Sequence, residues 1–200
     1  YVASTTDAGS TWSERSIRVW SGNVNAVLLL DSLTWTAVGQ SITGSGPRIA
    51  RTSNGGVTWQ AVPLFGPANN LHDVDVVASG AACAVGTGQP PRQSRTTDRG
   101  ATWEPNATMT LSPLPPATSL SFYDITTDPW SGASFIAGGK VFASPQWAEV
   151  RFSRDGGSVW AATSMTGSSS PFPRPAGSVA PVGDRALFVP TRGGAIWRSL

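Results

Sequence analysis

The stretch Thr96-Thr97-Asp98-Arg99-Gly100-Ala101-Thr102-Trp103 decides the fold, because it returns along the chain. Its other copies read Thr5-Thr6-Asp7-Ala8-Gly9-Ser10-Thr11-Trp12, Thr52-Ser53-Asn54-Gly55-Gly56-Val57-Thr58-Trp59 and Ser153-Arg154-Asp155-Gly156-Gly157-Ser158-Val159-Trp160. Trp12, Trp59, Trp103 and Trp160 thus follow one another at steps of 47, 44 and 57 residues. Self-similarity at this period marks a repeat architecture, and four short strands per unit point to the blades of a propeller.

Working outward from each copy exposes a common unit: an apolar strand, a strand ending in Gly, a strand carrying Arg into the turn, and a strand starting at the Trp. The first full unit predicts strands over Val24 to Leu30, Trp35 to Gly39, Arg48 to Ser53 and Thr58 to Val62. The second predicts them over Leu71 to Val77, Ala82 to Gly86, Gln93 to Thr97 and Thr102 to Glu104. The third gives Leu120 to Thr126, Ser134 to Gly138, Val150 to Ser153 and Val159 to Thr163, and a last unit gives Gly177 to Val182, Ala186 to Val189 and Ala195 to Ser199. These segments are short, rich in β-branched and aromatic residues, and bounded by Gly, Pro, Asn and Ser, as antiparallel strands are. Pro-rich stretches such as Leu111 to Pro116 and Pro171 to Pro175 fall between units and read as loops.

The expected fold is therefore all-β, a β-propeller of four-stranded antiparallel blades with about four repeats, at 1–20 (partial), 21–66, 67–112, 117–166 and 175–200 (partial). Ser199 falls where Thr5, Thr52, Thr96 and Ser153 open their copies, so the chain starts and stops at one phase of its repeat. That phase fits a small closed ring or an arc of a larger propeller. The absence of an initiator Met and the truncated copy at Ser199 favour the arc.

Composition excludes several function classes. The net charge of the 200 residues is only +2, and Lys140 is the one Lys among mostly Arg cations, so no basic block implies nucleic acid. The longest apolar run, Ala26 to Leu30, is far short of the roughly 18 residues a membrane helix needs, so no membrane insertion is expected. Cys83 and His72 are each the single residue of their type. No internal disulfide or Cys-ligated metal site is possible, and neither a metal nor a cofactor is expected.

The recurring turn has a folding explanation. Asp7, Asn54, Asp98 and Asp155 can accept N–H groups from the residues that follow, as in an Asx turn. Gly9, Gly56, Gly100 and Gly157 are expected at positive φ. Trp12, Trp59, Trp103 and Trp160 are expected to bury their indoles between sheets, each N–H reaching a carbonyl. Calcium binding is the functional alternative, but one carboxylate per turn, and Asn54 in one copy, fall short of a calcium loop.

The four lines resemble the Asp-box, or BNR repeat, with its pattern Ser/Thr-x-Asp-x-Gly-x-Thr-Trp. Proteins carrying this box include sialidases, sortilin-type receptors, xyloglucan-cleaving glycosidases and propellers related to the photosystem II assembly and stability factor. The last group is the most similar: Ala37-Val38-Gly39 with Ile49-Ala50-Arg51-Thr52, Ala84-Val85-Gly86 with Arg95-Thr96, and Ile196-Trp197-Arg198-Ser199 follow its unit. The third unit departs from it, with Ile136-Ala137-Gly138 and Phe152 in the Arg position. The resemblance implies a non-catalytic, often exported propeller, secreted or periplasmic, that scaffolds or binds another macromolecule.

A segment of a sialidase or xyloglucanase-like glycoside hydrolase is the competing expectation. A sialidase needs an Arg trio and a Tyr nucleophile activated by Glu, yet the chain offers only Tyr1 and Tyr123 with Glu14, Glu104 and Glu149. A glycosidase needs two carboxyls about 5–9.5 Å apart across a cleft. Asp73, Asp75, Asp124 and Asp128 are the clustered acids outside the turns, and Asp73 and Asp75 share one strand face; solvated polar positions explain them more simply. Arg51, Arg95 and Arg198 occupy equivalent positions, with Arg151 one residue out of register. Rotation about a propeller axis would set them in an arc able to grip an acidic protein or carboxylated glycan, unless each pairs with its own neighbours. Trp20, Trp35, Trp130 and Trp147 are candidate stacking platforms, with core packing as their simpler fate.

Overall fold

In the computed structural model the described residues are 1–41, 47–65, 70–76, 80–88, 91–105, 107–112, 120–127, 135–141, 147–162, 180–182, 186–190 and 196–198. Among them every regular element is a strand. In chain order these are β1 (Val2–Ser4), β2 (Ser13–Arg15), β3 (Gly22–Leu29), β4 (Trp35–Ser41), β5 (Pro47–Thr52), β6 (Gln60–Val62), β7 (Leu71–Val76), β8 (Ala82–Gly86) and β9 (Arg92–Thr96). They continue as β10 (Ala107–Thr108), β11 (Leu111–Ser112), β12 (Leu120–Thr127), β13 (Phe135–Val141), β14 (Trp147–Ser153), β15 (Trp160–Ala162), β16 (Ala180–Val182), β17 (Ala186–Pro190) and β18 (Ile196–Arg198).

The strands form successive sheets that follow the repeat: β1-β2, β3-β4-β5-β6, β7-β8-β9-β10, β12-β13-β14-β15 with β11 added, and β16-β17-β18. Neighbours within each unit are antiparallel, as short strands joined by hairpins must be. Two expectations are corrected. Residues 102–104 form no strand, because Pro105 has no N–H to donate; Glu104 makes a single backbone bond to Arg95 O at 2.7 Å, and pairing resumes only at β10. Leu111 and Ser112, expected in a loop, run parallel to β15 along its outer edge, and Trp160 N donates to Thr110 O at 2.9 Å.

The sheets stack face to face, and the apolar core lies between them in slabs. Trp35, Ala37, Ala50 and Trp59 are buried with half-buried Val2, Ile17 and Trp20 around them, which joins the first sheet to the second. Val38, Ile49, Leu71, Val74, Ala82, Ala84 and Trp103 join the second to the third. Cys83, Val85, Met109, Leu111, Phe122, Ile125 and Trp160 join the third to the fourth. Trp35 and Trp20 therefore belong to the core, while the side chains of Trp130 and Trp147 lie outside the described residues.

β3 packs on β7, β7 on β12 and β12 on β16, and β3, β7 and β12 each carry a bulge at the same place. The register jumps between Val24 and Ala26, between Leu71 and Asp73, and between Phe122 and Asp124, leaving Asn25, His72 and Tyr123 as the extra residues. Opposite each bulge stands a glycine, Gly39, Gly86 or Gly139. A Cβ on Gly86 would fall on the carbonyl oxygen of Asn70, and one on Gly39 would fall on that of Asn23. The bulge thus requires glycine for close backbone approach. Gly86→Ala is expected to destabilise the protein by about 3 kcal/mol or more, read as a drop in the urea midpoint at unchanged slope. A change within 0.5 kcal/mol would show that the bulge relaxes freely.

Candidate functional site

The recurring turns come first, because they carry most of the chemistry-bearing residues. In the third copy the Thr96 hydroxyl donates to Asp98 Oδ1 at 2.7 Å and accepts the Gly100 N–H at 3.1 Å. Asp98 in turn accepts the Thr102 N–H at 2.9 Å and the Thr102 hydroxyl at 2.6 Å. The same lattice joins Thr5, Asp7, Gly9 and Thr11, and it joins Ser153, Asp155, Gly157 and Val159 without a hydroxyl at the last position. Asn54 fits because its Oδ1 takes the Thr52 hydroxyl and the Thr58 N–H, while its Nδ2 donates to Thr58 Oγ1. Gly9, Gly56, Gly100 and Gly157 have φ of +91°, +82°, +77° and +87°. Each is preceded by another left-handed residue, Ala8, Gly55, Arg99 or Gly156.

The opening Ser or Thr is the residue that composition alone did not single out. Thr52, Thr96 and Ser153 are buried, and their hydroxyls act as donor and acceptor at once. Their fixed place four residues before Gly56, Gly100 and Gly157 is the signal that marks them.

The third and fourth turns dock on the preceding sheet. A Cβ on Gly100 would come within 2.7 Å of Thr36 Oγ1, and one on Gly157 within 3.3 Å of Cys83 Sγ. The Trp then enters the slab between sheets: Trp59 and Trp103 are 8% exposed and Trp160 is fully buried. Trp12 departs from expectation at 62% exposed, its indole lying over its own Gly9 and donating to Gly9 O at 3.1 Å. Trp160 Nε1 donates to Gln93 Oε1 at 2.8 Å, and Gln93 Nε2 donates to Gly157 O at 2.7 Å, so one amide side chain fastens two sheets. Gln93 stands three residues before Thr96, and the equivalent positions are Ile49 and Val2. With an apolar side chain there, the expectation that every indole N–H finds an acceptor fails. Trp59 Nε1 and Trp103 Nε1 are buried without a partner among the described residues.

The arginines divide by strand face. Arg51 and Arg95 precede Thr52 and Thr96 by one residue and are half-buried. Arg151 precedes Ser153 by two, so the strand's period of two turns it to the opposite face, where it is 2% exposed. Arg95 is engaged by Glu104 at 2.8 Å and 3.3 Å, and donates to Ser158 Oγ in the next turn. Gln60 takes the place of Glu104 opposite Arg51, whose Nε is buried without a partner among the described residues. Arg198 lies in β18, and its side chain is outside the described residues.

The acids of the innermost strands are also engaged, and half-buried where solvated positions were expected. Asp73 Oδ2 accepts the Ile125 N–H at 3.0 Å and Asp75 Oδ2 the Thr127 N–H at 2.6 Å, while the Thr127 hydroxyl donates to Val76 O at 2.8 Å. Burial first, then the neighbouring Asp124 carboxyl, pushes the Asp73 carboxyl up to about 7. The bulged His72 ring lies 4.8 Å from that of Tyr123, and burial lowers its pKa. Asn25 Nδ2 donates to Leu71 O at 2.6 Å, so the three bulges run in a row across three sheets. The repeated glycine opposite each bulge is the sequence signal for this row. Asp128 lies outside the described residues.

No protein-family model matches this sequence, and no curated protein matches it. Similarity appears among solved structures. A GH74 xyloglucanase from Xanthomonas campestris superposes with a TM-score of 0.60 at 16% identity, over 82% of this chain and 25% of the other. A Hadza microbial sialidase gives 0.61 at 17% identity, over 86% of this chain and 42% of its own. YCF48 from Cyanidioschyzon merolae gives 0.50 at 16% identity, over 92% and 69%. The fold is that of a β-propeller. This chain spans about a quarter of the length of the xyloglucanase and about two fifths of that of the sialidase, and its sheets are blades of the same kind.

The turn carboxylates set a pH dependence. Hydrogen bonds from the Thr11 hydroxyl and amide hold Asp7 at about 2; at Asp98, slight burial acts upward, but bonds from Thr102 and Thr96 outweigh it and also bring it to about 2. A carboxyl depressed on folding binds fewer protons folded than unfolded, so its contribution is complete above the unfolded value near 4 and is lost as pH falls toward 2. Thermal midpoints measured from pH 5 to pH 2 are expected to fall, and Asp98→Asn, which copies Asn54, is expected to fall less steeply. Equal slopes for the two proteins would contradict this.

Proposed function

We propose that this chain is a non-catalytic propeller module that binds another macromolecule, as its resemblance to the photosystem II assembly factor group implies. The observation that carries the reading is the engagement of the acids among the described residues: Asp73 and Asp75 hold β12 amides. Hydrolysis by a carboxyl pair needs the two groups separated by about 5–9.5 Å with substrate or water between them. The carboxylates of Asp7, Asp98 and Asp155 are occupied inside their turns. Tyr123 faces His72, whereas a sialidase nucleophile is served by a Glu.

The binding group on this reading is Arg51. Arg95 shows what that position does when a carboxylate is present, since Glu104 meets its guanidinium with two bonds. At Arg51 the neighbour is neutral Gln60 and no carboxylate pairs with the guanidinium among the described residues, so on this reading the fork takes an acidic side chain of a partner protein. A sialidase- or xyloglucanase-like role is the alternative, and the same assay separates the two. The complete protein is expected to release nothing from a fluorogenic sialoside or from xyloglucan and to bind an immobilised Glu-rich peptide. Arg51→Glu, and Gln60→Glu which supplies Arg51 with an internal carboxylate, should each weaken that binding by about tenfold or more. Turnover of either substrate, or unchanged binding in both variants, would overturn the proposal.

A further inference from the structure

The second Trp-closed turn is the copy in which a carboxamide is followed by glycine, Asn54-Gly55, and the sequence has no other Asn-Gly pair. Such a pair carries its own chemistry. With no side chain on the glycine, its backbone nitrogen is free to approach the carboxamide carbon and displace ammonia. The corresponding pairs in the other turns are Asp7-Ala8, Asp98-Arg99 and Asp155-Gly156. Their carboxyls are held ionised by the turn's hydrogen bonds, and a carboxylate resists a nucleophile. Asn54 is also exposed, so water and hydroxide reach it.

What stands in the way is a backbone bond. The Gly55 N–H donates to Leu33 O at 2.9 Å. A peptide nitrogen attacks only after releasing its proton, and this proton lies against a carbonyl instead of water. The carboxamide is fixed as well: Oδ1 accepts the Thr58 N–H and the Thr52 hydroxyl, both at 2.9 Å, and Nδ2 donates to Thr58 Oγ1 at 2.8 Å. Leu33 O is itself held in place. Asp31 Oδ1 accepts the Leu33 N–H at 2.9 Å and the Thr34 N–H at 2.7 Å, and Leu30 N donates to Thr34 O at 2.9 Å, which closes the loop between β3 and β4. Arg99 in the next turn donates to Asp31 Oδ2 at 3.1 Å, but an exposed pair adds little, so the Asp31 cap sets where Leu33 O lies. The following blade repeats the backbone bond, from Arg99 N to Gly80 O at 3.3 Å. The contact therefore belongs to the blade, and only at Asn54 does it also cover a reactive nitrogen.

We infer that Asn54 is a latent deamidation site, kept closed by the Leu33 carbonyl on the Gly55 amide. When the loop opens, Gly55 N gives up its proton and bonds to Asn54 Cγ. The Cγ–Nδ2 bond breaks, and Nδ2 takes a proton from water and leaves as ammonia. Water then opens the cyclic imide on one side or the other of Gly55 N. Cleavage at Cγ leaves aspartate at this position, whereas cleavage at the Asn54 backbone carbon leaves the chain running through the side chain, one methylene longer. Aspartate fits the turn, since Asp98 accepts the Thr102 hydroxyl where Asn54 donates to Thr58. The longer backbone does not fit, because the turn closes by bonds of fixed spacing from Gly56 to Thr52 and from Thr58 to Asn54.

Incubation of the whole chain in mildly alkaline buffer, followed by mass spectrometry of the peptide carrying Asn54, tests this. Loss of the amide changes the mass of that peptide, whereas rearrangement at Asp155-Gly156 changes none, so the two are not confused. Deamidation at Asn54 is expected to be about tenfold or more slower in buffer than in denaturing urea, because its rate follows the population of the opened turn. Asp31→Ala removes the loop cap and should raise the rate in buffer by about threefold or more, with the rate in urea unchanged. Equal rates in buffer and urea, no deamidation in urea, or an unchanged rate in Asp31→Ala would overturn the proposal. Should that variant fail to fold, hydrogen exchange of the Gly55 amide in the natural protein decides: strong protection supports the inference, and exchange at the rate of an unstructured peptide contradicts it.

Discussion

A buried hydroxyl at the mouth of three of the four Trp-closed turns is the constraint around which the blades are arranged. Thr52, Thr96 and Ser153 lie under the turn they open, and a hydroxyl removed from water needs both a donor and an acceptor. The Asp or Asn two residues on and the Gly amide four residues on supply them. Closing that lattice forces two consecutive left-handed residues, which brings the turn backbone down onto the preceding sheet and swings the Trp into the slab between the two. Local hydrogen bonding and long-range packing are therefore one device here, repeated with the period of the chain.

How the device is finished varies from seam to seam, and the variation follows single residues. Gln93 gives Trp160 an acceptor and binds the next turn as well; Ile49 in the same phase leaves Trp103 with packing alone. Glu104 occupies Arg95, while Gln60 leaves Arg51 without a carboxylate among the described residues. Asn25 joins two inner strands through a neutral amide, whereas Asp73 and Asp75 join the next two by accepting the Ile125 and Thr127 amides. Substitutions at equivalent positions have thus kept the scaffold while changing what each blade presents to its neighbour.

Much of this was legible in the sequence. The period, the turn residues, the positive φ of the glycines and most strand positions rest on local patterns, and local patterns survive without a structure. What was illegible depends on the neighbouring blade. The exposure of Trp12 beside the burial of Trp160 cannot be read from two octapeptides of the same pattern. The addition of β11 to β15 joins segments about fifty residues apart, with no repeat to announce it. The orientation of Arg151 was within reach, since two residues before Ser153 and one residue before Thr96 are opposite faces of a strand. The acids illustrate the converse: their spacing put Asp73 and Asp75 on one face, but only the packing of β12 shows what that face meets.

The central claim is that these turns are interblade clamps whose hold comes from burying a satisfied hydroxyl. Removing the hydroxyl with little change of shape addresses it directly: Thr5→Val, Thr52→Val, Thr96→Val and Ser153→Ala, each compared with the natural protein by urea denaturation. The account predicts a loss of about 2 kcal/mol at each of the three buried positions, where a Gly amide is left without an acceptor away from water. It predicts less than about 0.5 kcal/mol at Thr5, where the same lattice is open to solvent. Equal losses at all four positions, or none at Thr52, Thr96 and Ser153, would contradict it.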